Sequence, residues 1–169
     1  YGGISRYYVE VAKHLSLSHY SSICDIKVVA PLYINNYLAN QSGKISTIGM
    51  HIPKIKISPR ICKHVNRFLS TYLLNKYAPD LIHETYYSRQ AVKSRNAIRV
   101  ITIYDMIHEI FPHLFPRTDK TSVNKRNSIQ RADYIIAISN KTKDDLIRLL
   151  GVDPMKIAVV SLGFTPYRK

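Results

Sequence analysis

Residues 81–85 (LIHET), 99–105 (RVITIYD), 134–139 (YIIAIS) and 157–162 (IAVVSL) are short, β-branched and almost continuously apolar. They alternate with stretches of helical periodicity at 118–131 and 142–150. A strand that is apolar on both faces has to be covered on both, and strands separated by helices pair in parallel. The expected architecture is α/β, a doubly wound parallel sheet with helices on its faces.

The front of the chain fits the same grammar less regularly. Residues 4–17 read as a helix, with Tyr7, Tyr8, Val11 and Leu15 along one stripe. Residues 26–31 (IKVVAP) read as a buried strand ended by Pro31, and a short strand is expected near 46–49 in an otherwise irregular stretch. A helix is predicted over 60–76, its apolar face made by Ile61, Val65, Phe68, Leu69, Tyr72 and Leu73, with Pro79 stopping it. Thr142 and Asp145 have capping-box spacing, and Gly151 closes the helix they open. Gly2 and Gly3 run directly into the first helix, a place where a strand normally precedes. The expectation is an α/β domain over 1–163 lacking its first strand, with 164–169 starting a linker to a further domain.

Charge narrows the partners. Lys and Arg number 25 against 11 Asp and Glu, a net charge of +14, so the chain attracts anions: nucleic acid, acidic lipid or phosphorylated ligands. The stretch holding Lys54, Lys56, Arg60, Lys63, Arg67 and Lys76 has no acidic residue and overlaps an amphipathic helix, which suits an anionic membrane surface or a solvated helix face. The cysteines, Cys24 and Cys62, lack disulfide-scaffold or zinc spacing, which favours a reducing compartment. No apolar run approaches the ~18 residues of a spanning helix.

In open parallel sheets, ligands collect beyond the carboxyl ends of the strands. That rule selects Gly2-Gly3, 83–87, 104–109 and Ser139. A glycine pair before a helix lets a phosphate approach backbone N–H groups, with Arg6 one turn on; a tight turn and a solvated arginine are the alternatives. His83 and Glu84 end a strand and offer hydrogen bonds to a hydroxyl-rich substrate, while Tyr86 and Tyr87 offer sugar-stacking faces; a backbone-satisfied histidine and packed tyrosines are equally open. Tyr104-Asp105-Met106-Ile107-His108-Glu109 is the densest polar cluster after a strand. Asp105 is placed either to orient or deprotonate a hydroxyl or to cap a short helix. His108 and Glu109 are not in metalloprotease spacing and no third metal ligand is apparent, so no metal is expected. A serine nucleophile is not supported, because Ser139 lacks the glycine-flanked elbow and reads as a helix cap.

Four segments in order resemble the N-terminal domain of family-4 glycosyltransferases, retaining enzymes of the GT-B fold: YGGISRYYVEVAKHL, DLIHETYYS, VITIYDMIHEIFPHLFP and RADYIIAISNKTKDDLIRLLGVDPMKIAVVSLGF. The likeness is greatest to mannosyltransferase-like enzymes of bacterial surface polysaccharide synthesis. The resemblance implies a Rossmann-like domain facing, across a cleft, a C-terminal domain that holds most of a nucleotide-sugar. Gly2, Gly3 and Arg6 would then meet the donor diphosphate. Asp105 would face the transferred sugar as the catalytic residue. His83, Tyr86, Tyr87, Tyr104, His108 and Glu109 would line the acceptor side, with Tyr104 where many members carry histidine. The implied reaction moves a hexose, mannose on this likeness, from a nucleotide-sugar to a glycan or lipid-linked acceptor. It proceeds on one face with the leaving diphosphate taking the acceptor proton, and it uses no cofactor and no metal. The implied setting is cytoplasmic, peripheral on the inner face of the cytoplasmic membrane. Without the donor domain and first strand, the chain alone is expected to be poorly stable and inactive. Two rivals stand beside this reading: a basic nucleic-acid-binding α/β module, and a non-catalytic domain that binds a glycan or a protein.

Overall fold

A computed structural model describes residues 3–17, 19–41, 44–52, 58–94 and 96–163. They form an α/β protein with parallel sheets, the expected class, divided into two compact units: Tyr1–Ala78 with Val92–Arg95, and Pro79–Ala91 with Asn96–Lys169.

The first unit carries helix α1 (Gly3–Leu17), strand β1 (Val28–Tyr33), the one-turn helix α2 (Asn36–Ala39), strand β2 (Thr47–His51) and helix α3 (Pro59–Tyr77). β1 and β2 pair in parallel. The strand predicted to end at Pro31 continues through it, because the ladder gives way at that point. Register shifts between Val29 and Leu32, where proline has no N–H to donate. Asn66 of α3 repairs the interruption: its Nδ2 donates to the Leu32 carbonyl at 2.9 Å and its Oδ1 accepts the Leu32 N–H at 2.8 Å. On the other strand Gly49 sits at φ +151, so close that a Cβ there would lie 1.7 Å from the Ala30 carbonyl oxygen. The bulge therefore requires glycine. Asn35 caps α2 by accepting the N–H groups of Tyr37 and Leu38.

The helix faces in this unit depart from the expected ones. Val9 and Ala12 are the buried residues of α1, packing with Leu38 and Ile45, rather than the stripe through Tyr7, Val11 and Leu15. On α3, Leu74 is buried, but Ile61, Val65, Phe68 and Tyr72 are exposed, Phe68 to 75%. Of the expected face, Leu69 and Leu73 are half-buried beside Leu74, while its other four members point away from the core. α3 ends on Ala78 in left-handed conformation, φ 41, just before Pro79.

The second unit is a four-stranded parallel sheet in the order β3 (Leu81–Glu84), β4 (Ile98–Ile103), β5 (Tyr134–Ala137), β6 (Ile157–Val159). Helix α4 (Ile107–Ile110) follows β4, α5 (Thr121–Arg131) leads into β5, and α6 (Asn140–Leu150) joins β5 to β6. Ile101, Ile103, Ile135, Ala137 and Ile157 from the strands pack with Met106, Ile129, Ala132 and Leu146 into one core. Burying such side chains supplies about 1.5–3 kcal/mol each for the larger ones, which is what holds short parallel strands in place.

Several boundaries move. β4 stops at Ile103, which puts Tyr104 and Asp105 in the loop beyond the strand. α5 starts at Thr121, whose N–H is taken by Asp119. α6 starts before the expected 142: Ser139 accepts the Thr142 N–H and is the cap, as read for it, and Thr142 and Asp145 do not form a box. Asp145 instead pairs with Lys141 and Arg148 on its own helix, which holds its carboxyl below the usual range, the Arg148 bond foremost. Gly151 closes α6 at φ 62, as predicted. β6 is shorter than the apolar run suggested, and the proposed linker at 164–169 lies outside the described residues.

Candidate functional site

Of the glycine pair, Gly2 lies outside the described residues, as do Lys54 and Lys56 of the basic stretch. Gly3 opens α1 in the first unit, with open space where a side chain would be. Arg6 is exposed on the same helix and belongs to a small polar group with Glu10 and Tyr37. The Tyr37 hydroxyl donates to Glu10, and this bond, ahead of the nearby cations, holds the Glu10 carboxyl below its ordinary range. Arg6 therefore has an anionic neighbour on its own helix.

All the other candidates lie in the second unit, at the carboxyl ends of β3 and β4. His83 ends up on β3 with its Nε2 2.9 Å from the hydroxyl of Thr102, a fully buried residue of the neighbouring strand β4. Burial pushes the imidazole down to about 4, so it is neutral near pH 7. A neutral ring fixed by a hydroxyl can donate or accept one hydrogen bond but brings no charge.

Glu84 is turned toward two arginines. Arg131 of α5 grips it through Nε at 3.0 Å and Nη2 at 2.5 Å, and Arg99 of β4 adds a third bond at 3.0 Å. The same guanidinium donates to the carbonyl and hydroxyl of Ser88 and to Ser128 Oγ, each at 2.8 Å. Ser128 in turn accepts the Ser88 N–H at 3.1 Å. The loop after β3, which carries Tyr86 and Tyr87, is thereby fastened to α5. Tyr86 projects outward, while the Tyr87 hydroxyl accepts the Tyr104 N–H at 3.4 Å and so links the loop after β3 to the loop after β4.

Asp105 is the exposed acid of this edge, its side chain 47% accessible. Its Oδ1 accepts the Ile107 N–H at 3.1 Å at the start of α4, which is the capping role allowed for it. Among the described residues Oδ2 has no protein partner, so one oxygen orients the loop and the other faces outward. Glu109 is turned the opposite way. Its carboxylate is 1% accessible and bonded at 2.7 Å to the equally buried Lys125 of α5. It lies beneath the loop and not on its surface. His108 stacks on Phe115 at 3.8 Å and sits 3.6 Å from Asp119, half-buried. Among the described residues no three His, Cys, Asp or Glu side chains gather as a metal set.

Lys125, Arg131, Thr102 and Ser88 also build this edge, although nothing local in the sequence marks them. α5 reads TSVNKRNSIQR, with Val123 and Ile129 its only apolar residues, and a charged residue in so polar a helix is expected to be solvated. Acids, carbonyls and hydroxyls, most of them brought in by other elements, offset the burial of its cations.

The chain matches the pattern of glycosyltransferase family 4 over residues 1–168. It is also 26% identical to an Escherichia coli protein named UDP-Gal:alpha-D-GlcNAc-diphosphoundecaprenol alpha-1,3-galactosyltransferase, over 76% of this chain and 36% of the relative. The chain thus spans about a third of the length of the curated relative it matches.

Proposed function

The chain belongs to glycosyltransferase family 4, and from that premise we propose that it forms the acceptor-side half of an enzyme that transfers a hexose from a nucleotide-sugar to a lipid-linked or glycan acceptor. The observation that carries the reading is the edge built by His83, Tyr86 and Asp105, a neutral imidazole, an outward ring and an outward carboxylate at the carboxyl ends of adjacent strands. A hydroxyl-rich acceptor suits that chemistry. Asp105 accepts a hydrogen bond from the attacking hydroxyl through Oδ2 and orients it, while His83 and Tyr86 hold the sugar ring. Tyr104 and Tyr87 fix the two loops, and His108 lies at their margin. The departing diphosphate takes the proton, and no resident metal or cofactor has a part. Gly2, Gly3 and Arg6 are assigned to the donor diphosphate. The hexose is read as mannose from the motif likeness, whereas the relative's name specifies galactose.

The test is transfer by the complete protein from radiolabelled GDP-mannose, UDP-galactose, UDP-glucose or UDP-N-acetylglucosamine to undecaprenyl-diphosphate-linked N-acetylglucosamine and to a membrane glycolipid extract. Incorporation from one donor is expected. Incorporation from none of them overturns the reading.

A peripheral membrane position, on the cytoplasmic face, accompanies this assignment. Among the described residues no helix is long and apolar enough to cross a membrane. α3 nevertheless exposes Ile61, Val65, Phe68 and Tyr72 on a helix that also carries Lys63, Arg67 and Lys76, and no acidic residue occurs between Asp25 and Asp80. Such a helix lies in an anionic interface with its rings in the acyl boundary and its cations at the headgroups. Flotation with vesicles containing phosphatidylglycerol should exceed flotation with phosphatidylcholine alone and fall for Phe68→Ser. Equal recovery with both lipids removes the electrostatic part.

A further inference from the structure

We propose that Lys125 is a positioning residue for the transfer reaction, holding the two acceptor-side loops in one arrangement from beneath. The proposal rests on the reading that Asp105 meets the attacking hydroxyl. Lys125 is 1% accessible although it stands on the polar helix α5. An ammonium in such a place costs several kcal/mol unless it is fully paired. Its partners are not scattered. Nζ donates to the main-chain carbonyl of Asp105 at 2.8 Å and to Glu109 Oε2 at 2.7 Å. It stands 3.7 Å from Asp105 Oδ1 and 5.5 Å from the centre of the Tyr87 ring.

These contacts divide between the loop after β3 and the loop after β4, so one buried charge fixes both edges of the candidate site. The direction of each contact matters. The carbonyl bond sets the Asp105 backbone, and attraction to Oδ1 from below adds to the Ile107 N–H bond on the same oxygen. Both turn Oδ2 outward. The cation–π contact holds Tyr87, whose hydroxyl accepts the Tyr104 N–H. Glu109 neutralises the ammonium and ties the start of α4 to the same point. A lysine needed only for packing would gain nothing from facing Asp105 and Tyr87 together.

The single variant Lys125→Met strands the Glu109 carboxylate in a dry site and is expected to unfold readily. The informative variant is the double one, Lys125→Met with Glu109→Met, because replacing a buried ion pair by apolar side chains of similar volume is often neutral for stability. In the complete protein, assayed with the donor that supports transfer, the double variant should keep its thermal midpoint and its KM for the donor. Its kcat should fall about 10- to 100-fold, the cost of a misplaced orienting group. Lys125→Arg, which retains a cation, should keep more of the parent kcat than the double variant. Parental kcat in the folded double variant overturns the positioning role while leaving the function intact, provided Asp105→Asn is impaired in the same assay. If Asp105→Asn and the double variant are both fully active, the underlying assignment of Asp105 falls as well.

Discussion

Arg131 is a residue whose loss should remove several of the second unit's polar contacts at once. It makes five hydrogen bonds, two to the Glu84 carboxylate, two to Ser88 and one to Ser128. Its guanidinium and that carboxylate are mostly buried, at 17% and 14% accessible. In Arg131→Met, Glu84 loses its two-point grip while the Arg99 bond at 3.0 Å stays, and the Ser88 carbonyl loses its 2.8 Å donor. Bonds to charged groups contribute about 1.5–3 kcal/mol each when removed singly, and breaking a buried pair costs about 3–5 kcal/mol in total. Water reaches part of this site, so the lower end applies, about 3 kcal/mol. Arg99→Met leaves the bidentate Arg131 grip intact and should cost less, about 1.5 kcal/mol. Urea unfolding followed by circular dichroism measures both, and hydrogen exchange at the Ser88 amide reports the loop locally. The reasoning fails if Arg99→Met costs as much as Arg131→Met, or if the Ser88 amide exchanges at the same rate in parent and Arg131→Met.

His83 predicts an acid-side loss of stability. Its imidazole falls from 6.5 to about 4 on folding because burial disfavours the charged form. The unfolded chain therefore binds more protons between those values, and stability present above pH 6.5 is lost as pH falls toward 4. The loss is at most about 3 kcal/mol, reduced by the water that still reaches the ring. Unfolding midpoints across that range should steepen in the parent and flatten in His83→Gln; parallel curves would exclude His83 as the source. Gly49→Ala should unfold the first unit's strand pair, since its Cβ would fall 1.7 Å from the Ala30 oxygen. A destabilisation of about 3 kcal/mol or more is expected by thermal melting, and a neutral result would mean that the bulge rearranges freely.

The second unit was largely legible because its strands are apolar on both faces and punctuated by clear stops. Gly151, Ser139 and Pro79 each mark an end by a local property, a left-handed angle, a capping hydroxyl or a missing N–H. What could not be read depends on partners distant in sequence. Pro31 looked like a stop, and only Asn66, more than thirty residues on, lets the strand pass it. Ile61, Val65, Phe68 and Tyr72 have core periodicity, yet period alone does not say whether a face meets protein or surroundings. Glu109 was expected to line the acceptor side, and its burial went unread because its ion-pair partner Lys125 stands in a helix whose sequence gives no hint of burial. The candidates His83, Asp105 and Tyr86 were selected by the strand-end rule, which has no way to select the arginine and lysine that hold their loops.

The central claim is that the loop after β4 presents Asp105 to the acceptor hydroxyl. Asp105→Asn preserves the size of the side chain and an oxygen for the Ile107 N–H, so the fold should be unaffected. In the complete protein, single-turnover transfer from the productive donor should fall by about 100-fold or more while donor affinity and thermal midpoint hold. Undiminished turnover in a normally folded Asp105→Asn protein would contradict the account.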